Sequence, residues 1–129
     1  MMRLIDLKTA STVSVHFARP EEVKTGFDSL GLKAREGSIA DVKTDEDLFA
    51  VVASAMQFPD YFGNNWDALD ECLGDMDWLP AEGYLLVLRN ASKGWSRNPY
   101  VLGRFVTAWL EASEYWKEGE IPFHLVFVM

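Results

Sequence analysis

Four short stretches of the chain have the pattern of β-strands. Residues 84–88 (YLLVL) and 123–129 (FHLVFVM) are nearly all apolar, whereas 12–17 (TVSVHF) alternate between polar and apolar positions. Runs of this length and composition predict strands, and a continuous apolar run is typical of a strand that is covered on both faces. Residues 32–35 predict a fourth, weaker strand because their side chains are more polar.

Between these strands, apolar residues recur at the spacing of helices. The pattern predicts helices over residues 20–30, 45–56, 65–73 and 99–117. Thr44 is a good N-cap for the second of them, and Gly74 and Gly119 stand where the last two should end. The polar residues 37–43 and 90–98 predict loops.

Strands that alternate with helices indicate βαβ units and a parallel sheet with right-handed crossovers. A chain of 129 residues is long enough to bury a real core as one domain. No repeat, low-complexity tract or linker divides it. The sequence therefore predicts a single domain, 1–129, of the α/β class, with a small parallel sheet of three to four strands packed with helices.

The charge of the chain is concentrated in one segment. The formal net charge is −8, and residues 44–88 contain ten acidic side chains and no lysine or arginine. An acidic surface disfavours nucleic acid as a direct ligand, because contacts to phosphate need basic side chains. The segment predicts an acidic pole, either as a solvated surface or as a surface for a cationic partner.

The predicted helix over 65–73 has two faces. At helical spacing, one face carries Trp66, Leu69, Cys72 and Leu73, and we expect it to be buried. The other face carries Asp67, Asp70, Glu71 and Gly74. These carboxylates repel one another by a few tenths of a kcal/mol per pair, as like charges do at this spacing. Folding does not need that arrangement, whereas a basic partner would be attracted by it.

The turn before this helix contains two adjacent aromatic residues, Tyr61 and Phe62. We expect one of them to pack in the core and the other to face outwards. Gly63 lets the chain bend there, and Asn64 or Asn65 can cap the helix. The single cysteine, Cys72, is expected to be a buried small hydrophobe.

Several classes of protein do not fit the sequence. No run of about 18 apolar residues predicts a membrane span, and the first residues lack the apolar region of a signal peptide. One cysteine cannot form an internal disulfide, and no Cys/His pattern for zinc is present. We therefore expect a cytoplasmic protein with no metal and no cofactor.

Enzymatic activity is not indicated either. Asp70 and Glu71 are neighbours whose side chains diverge on a helix, so they are not a natural acid–base pair. His16 and His124 are isolated in predicted strands, where each is expected to be a satisfied strand residue. No serine nucleophile elbow or phosphate-binding glycine loop is found. A small hydrolase or metal protein that uses the acidic cluster stays a third alternative, although no EF-hand pattern follows Asp75 and Asp77.

The segment 58–80, FPDYFGNNWDALDECLGDMDWLP, resembles the signature of the barstar family. Its members are small intracellular inhibitors of secreted, guanyl-preferring ribonucleases such as barnase. The resemblance extends over 32–129 and makes residues 1–31 an N-terminal extension with an extra strand and helix. The matching residues are Pro59, Tyr61, Gly63, Asn65, Asp67, Ala68, Leu69, Cys72, Leu73 and Pro80.

The resemblance also implies which residues contact a partner. They are Tyr61, Phe62, Gly63, Asn65, Asp67, Asp70, Glu71, Gly74 and Asp75. A further acidic contact on the last helix would match Glu111 or Glu114. Two positions depart from the family's pattern, because the principal anchor is usually aspartate where this chain has Glu71, and tryptophan is common where it has Asp70.

A member of this family performs no chemistry. Its acidic helix would occupy the active-site cleft of a basic extracellular ribonuclease or a related toxin, where RNA phosphates otherwise bind. The departures at Asp70 and Glu71 leave a second hypothesis, a binding module of the same fold whose partner is another basic toxin or a cellular regulator. The sequence leaves the oligomeric state open.

Overall fold

In a computed structural model, the described residues are 7, 9–11, 13–23 and 31–129. They form strands β1 (Val15–Ala18), β2 (Lys33–Ser38), β3 (Tyr84–Arg89) and β4 (Phe123–Val128), together with helices α1 (Asp45–Ala55), α2 (Trp66–Asp75), α3 (Ala91–Arg97) and α4 (Pro99–Glu118). A single 3₁₀ turn, Pro20–Val23, follows β1. Part of the predicted helix over 20–30 lies outside the described residues.

The four strands form one parallel sheet in the order β1-β4-β3-β2. The apolar strands β3 and β4 are central, with Leu86 opposite Leu125. The N-terminal segment supplies β1, an edge strand that pairs with β4. The predicted α/β fold with a parallel sheet and an additional N-terminal strand is therefore confirmed.

Both faces of the central strands are buried, as their continuous apolar sequence predicts. On one face, Leu86, Leu88, Leu125 and Phe127 share a core with all four helices. On the other face, side chains of β3 and β4 pack against N-terminal residues, in a cluster of Leu7, Ala18, Val23, Leu85, Val87, Val126 and Val128. The N-terminal segment therefore covers a sheet face that would otherwise expose apolar side chains to water.

Polar side-chain contacts tie this segment to β4 and α4. His124 Nε2 lies 2.8 Å from the carbonyl oxygen of Thr9, and His124 Nδ1 lies 3.0 Å from His16 Nε2. A carbonyl oxygen only accepts, so His124 donates from Nε2, and in the neutral ring Nδ1 then accepts from the Nε2–H of His16. Ser14 donates to Ser113 at 2.8 Å. The two histidines are thus satisfied strand residues, as expected.

The helices begin where the capping residues predict. Thr44 Oγ1 accepts from the backbone N–H of Asp47 at 3.1 Å, and the Asp47 carboxylate accepts from the N–H of Thr44 in return. Asn98 Oδ1 accepts from the N–H of Val101 at 3.2 Å, with Pro99 in the first turn of α4. Caps depend on neighbouring residues alone, so a sequence reveals them well.

Four boundaries differ from the predictions by more than one residue. The first strand, predicted over 12–17, is β1 at Val15–Ala18. Residues 90–98 are not a loop, because α3 occupies Ala91–Arg97. The predicted loop over 37–43 is shorter, since β2 continues to Ser38 in register with β3. Gly74 does not end α2, which continues to Asp75 and ends when buried Met76 adopts a left-handed conformation with φ 54°.

Helix α3 is held by close packing rather than by its own sequence. A Cβ atom at Gly94 would lie 2.8 Å from both the carbonyl oxygen and Cδ1 of Ile39. Only glycine therefore lets the helix approach this segment. Asn90, with φ 60°, makes the turn from β3 into the helix.

We expect Gly94→Ala to lower the free energy of unfolding by about 1–2 kcal/mol, measured by urea denaturation. The added methyl group gains helix propensity, but the overlap with a backbone oxygen outweighs that gain. Gly103→Ala in α4 is the matched control, because nothing lies within 4 Å of a Cβ atom there. It should stabilise the protein by up to about 1 kcal/mol. Stabilisation by both substitutions would contradict the packing argument.

Candidate functional site

The turn before α2 is fixed by local hydrogen bonds. Asn65 is the N-cap, since its Oδ1 accepts from the N–H of Ala68 at 2.8 Å, and its Nδ2 donates to the carbonyl of Gly63 at 3.3 Å. Asn64 precedes it in the left-handed region with φ 53°. Of the two capping candidates in the sequence, Asn65 is therefore the one used, and Gly63 and Asn65 both lie at the surface.

The two aromatic residues of this turn point in opposite directions, as expected. Tyr61 is 71% exposed, whereas Phe62 is 8% exposed and packs edge-on against Phe49 and Phe58. The Phe62 side chain is therefore withdrawn from the surface on which the resemblance places it. Partial desolvation, with the negative charge of Asp75 nearby, raises the pKa of the Tyr61 hydroxyl.

Three of the four residues predicted on the inner face of α2 are buried. Leu69, Cys72 and Leu73 are buried and share the core with α4. Trp66 is only half-buried, rather than enclosed in the core as expected, and its Nε1 donates to the Asp45 carboxylate of α1 at 3.2 Å. Burial, followed by the charges of Asp75 and Glu71, raises the pKa of the Cys72 thiol, so the thiol is not poised to react.

The outer face of α2 presents four exposed carboxylates, which we call the acidic face: Asp67, Asp70, Glu71 and Asp75. The helix beneath them is tied to α4, since Trp116 Nε1 donates to the Leu73 carbonyl at 2.8 Å. Burial and the charge of Asp67 raise the pKa of the Asp70 carboxyl, and Arg104 lowers it in part. The backbone beneath the acidic face is thus anchored to α4, while its four carboxylates are exposed to solvent.

A groove runs between α2 and α4 along one side of the acidic face. Its upper part, the upper groove, is lined by Trp66, Asp67, Asp70, Arg104, Thr107 and Glu111. Its lower part, the lower groove, is lined by Asp70, Gly74, Glu111, Ala112 and Tyr115. Ala108 is common to both. Of the two acidic candidates on α4, Glu111 lines both parts and Glu114 lines neither.

Arg104 is the residue of this site that the sequence did not suggest. Its guanidinium carbon lies 4.7 Å from the centre of the Trp66 ring, in a cation–π contact. The segment 44–88 contains no base, but α4 brings one beside it. In the sequence, helical spacing places Arg104, Thr107 and Glu111 on one polar face of α4. That spacing does not reveal which other helix this face lies beside.

Asp75, the last residue of α2, interacts with Asp77 just beyond the helix end. A hydrogen bond with the Asp75 side chain, together with the charge of Asp75, raises the pKa of the Asp77 carboxyl. Because the pKa of Asp77 is raised, its protonation favours the folded state at low pH, and this contribution is lost as pH rises through that pKa.

We expect Asp75→Asn to lower the pKa of Asp77, because the substitution removes the neighbouring charge and supplies an amide donor. A carboxyl-carbon NMR titration of the wild-type and variant proteins measures this. Asp60→Asn is the control, since it removes an exposed carboxylate that does not act on Asp77. If the pKa of Asp77 in the wild type were that of an ordinary exposed aspartate, the interaction between Asp75 and Asp77 would be contradicted.

Two further features are absent from the part of the chain that the structure describes. Within it, no three His, Cys, Asp or Glu side chains are grouped so that they could hold a metal ion. None of its helices is long and apolar enough to cross a membrane.

Comparison with known proteins adds one match. A family model described as Barstar (barnase inhibitor) matches residues 32–128. The match runs from just before β2 to the end of β4, so it includes α2, α4 and the groove between them. A search of curated proteins finds no match.

Proposed function

Because this chain belongs to the barstar family, we propose that it inhibits a basic, secreted ribonuclease by laying the acidic face of α2 over the enzyme's active site. The family consists of ribonuclease inhibitors rather than enzymes. The observation that carries the proposal is the acidic face itself, four exposed carboxylates on a helix whose other side is locked into the core. No basic residue of the segment 44–88 neutralises them.

The mechanism needs no chemistry from this protein. A ribonuclease holds RNA phosphates with arginine, lysine and histidine side chains, and carboxylates of α2 would take the same positions through charge-assisted hydrogen bonds. Occupation of the cleft excludes the substrate. The exposed ring of Tyr61 stands next to the acidic face and would cover the rim of the cleft.

The rigidity of α2 favours tight binding. Its N-cap and its contacts to α1 and α4 fix the helix before any partner arrives, so little conformational entropy is lost on association. Gly63 and Asn65 would contact the partner from the turn and also maintain its shape. Phe62 would support the same turn from within the core.

Within this proposal, Glu71 and Asp67 are the anchors. Glu71 reaches about one methylene further than the aspartate usual in the family, so the partner's cation should lie slightly further from the helix axis. On α4, we propose Glu111 rather than Glu114 as the further acidic contact, because Glu111 lines the groove beside Asp70 and Gly74.

We also propose a cytoplasmic location, where such an inhibitor would protect the cell that makes the ribonuclease. Separately, we propose that residues 1–31 belong to the same domain, because Leu7, Ala18 and Val23 cover one face of its sheet. That covering role does not require them to contact a partner.

A second candidate function is a binding module for a basic partner that is not a ribonuclease. The two positions that depart from the family's pattern, Asp70 and Glu71, favour it because both lie on the acidic face. Compared with the residues usual in the family, Asp70 and Glu71 keep the face acidic but change its shape. The mode of binding would be the same.

The test is an affinity capture from the producing cell with the wild type and Glu71→Arg, followed by a ribonuclease assay on the captured proteins. Glu118→Arg is the matched control, since it makes the same charge change at an exposed position outside both parts of the groove. We expect a basic ribonuclease to be captured by the wild type and the control and lost with Glu71→Arg. A captured partner without ribonuclease activity would favour the second candidate.

A further inference from the structure

The upper groove contains a cation of its own. Arg104 stands among Asp67, Asp70 and Glu111, yet it forms no ion pair or hydrogen bond within the described part of the chain. It is held instead by its stack on Trp66, 4.7 Å from the ring centre. Trp66 is in turn fixed by its hydrogen bond to Asp45 and its edge-on contact with Phe49. The guanidinium is therefore positioned without using its hydrogen-bond donors.

The lower groove differs in charge. It contains the carboxylates of Asp70 and Glu111, with Gly74 and Tyr115, but no basic side chain lines it. Arg104 and Glu111 are seven residues apart on α4, about 10 Å along the helix axis at 1.5 Å per residue. A cationic side chain that enters the lower groove at the level of Gly74 and Tyr115 would thus meet carboxylates without a basic side chain lining the same part of the groove.

We propose that Arg104 is a specificity-determining residue that closes the upper groove to basic side chains and directs them to the lower groove and the Glu71 side of α2. This rests on the proposed function, because it concerns how the acidic face meets a basic partner. The fitting partner presents its cations towards Gly74 and Glu71 and an oxygen acceptor, such as a carboxylate or carbonyl, towards the unused donors of Arg104. A partner with an evenly basic surface is repelled at that position.

Asp70 responds to the same arrangement. It lines both parts of the groove, and Arg104 already compensates part of its charge. Neutralising Asp70 should therefore reduce the affinity for a basic partner less than neutralising Glu71 does, although the two residues are adjacent on one helix.

The experiment uses a hexa-arginine peptide as the probe and maps its binding by NMR on the wild type, Arg104→Gln and Lys117→Gln. In the wild type we expect shifts at the amides of Glu71, Gly74 and Tyr115, with the Trp66 indole and Thr107 unmoved. In Arg104→Gln the Trp66 indole and Thr107 should shift as well, and the peptide should bind about three to five times more tightly, the scale of an exposed charge interaction.

Lys117→Gln is the control, because it removes one exposed positive charge from α4 outside both parts of the groove. It should leave the wild-type pattern of shifts unchanged. Three results would overturn the proposal. The peptide could shift the Trp66 indole equally in the wild type and Arg104→Gln, Lys117→Gln could gain as much affinity for the peptide as Arg104→Gln, or the peptide could cause no shift in any of the three proteins. A protein that takes the peptide as expected but inhibits no ribonuclease would refute the proposed function alone.

Discussion

Replacing Glu71 with alanine is expected to weaken the proposed complex with a ribonuclease by about 2 kcal/mol or more, roughly thirtyfold in Kd. A buried carboxylate paired with partner cations is an anchor, and its removal leaves those cations desolvated and unpaired. Asp67→Ala should have an effect of the same order. Titration calorimetry with the captured enzyme measures both. The free energy of unfolding should change by no more than about 0.5 kcal/mol, because Glu71 is exposed in the free protein.

Glu71→Asp is the conservative control for this prediction. It keeps the charge and installs the residue usual in the family, so it should retain most of the affinity. Glu118→Ala removes a carboxylate elsewhere on the surface and should leave Kd within about twofold, as remote surface charges do. If Glu71→Ala and Asp67→Ala both bind like the wild type, the acidic face is not the contact surface.

Replacing Trp109 with alanine is expected to lower the free energy of unfolding by about 3–5 kcal/mol. The ring is fully buried and stacks on Phe123 with 4.2 Å between ring centres. Its Nε1 donates to the Phe123 carbonyl at 3.3 Å. The substitution leaves a large cavity between α4 and β4 and removes a buried hydrogen bond. Urea denaturation followed by far-UV circular dichroism measures the loss.

Tyr100→Ala is the matched control on the same helix. Its ring is 89% exposed, so truncation should change the stability by no more than about 0.5 kcal/mol. Because α4 carries one wall of the groove, the Trp109 variant should also bind a partner less well as it approaches its unfolding temperature. A small effect of Trp109→Ala would contradict the view that this contact fixes α4 to the sheet.

The features that the sequence predicted correctly depend on neighbouring residues. The apolar runs of β3 and β4 predict strands that are covered on both faces, and the structure confirms this. The two faces of α2 follow from helical spacing alone. Its cap follows from the hydrogen bonds that an asparagine makes within three residues. In each case the physical cause lies within a few positions along the chain.

The features that the sequence did not predict depend on distant contacts. Helix α3 is a short polar segment with an internal glycine, and its packing on Ile39 cannot be derived from those seven residues. The stack of Arg104 on Trp66 joins two helices whose relative position only the folded chain fixes. Spacing likewise could not decide which of Tyr61 and Phe62 faces outwards. The negative charge of the acidic face was therefore predictable, whereas the positive charge of Arg104 beside it was not.

The central claim is that this protein blocks the active site of a ribonuclease, and a titration of enzyme activity tests it most directly. The captured ribonuclease is held at a fixed concentration, the protein is added in steps, and cleavage of a short RNA is followed. Activity should fall linearly to zero at one inhibitor per enzyme, and association should slow as salt rises, because the attraction is electrostatic. Glu71→Arg should remove the inhibition. A stable complex that still cleaves RNA at the full rate would contradict the claim.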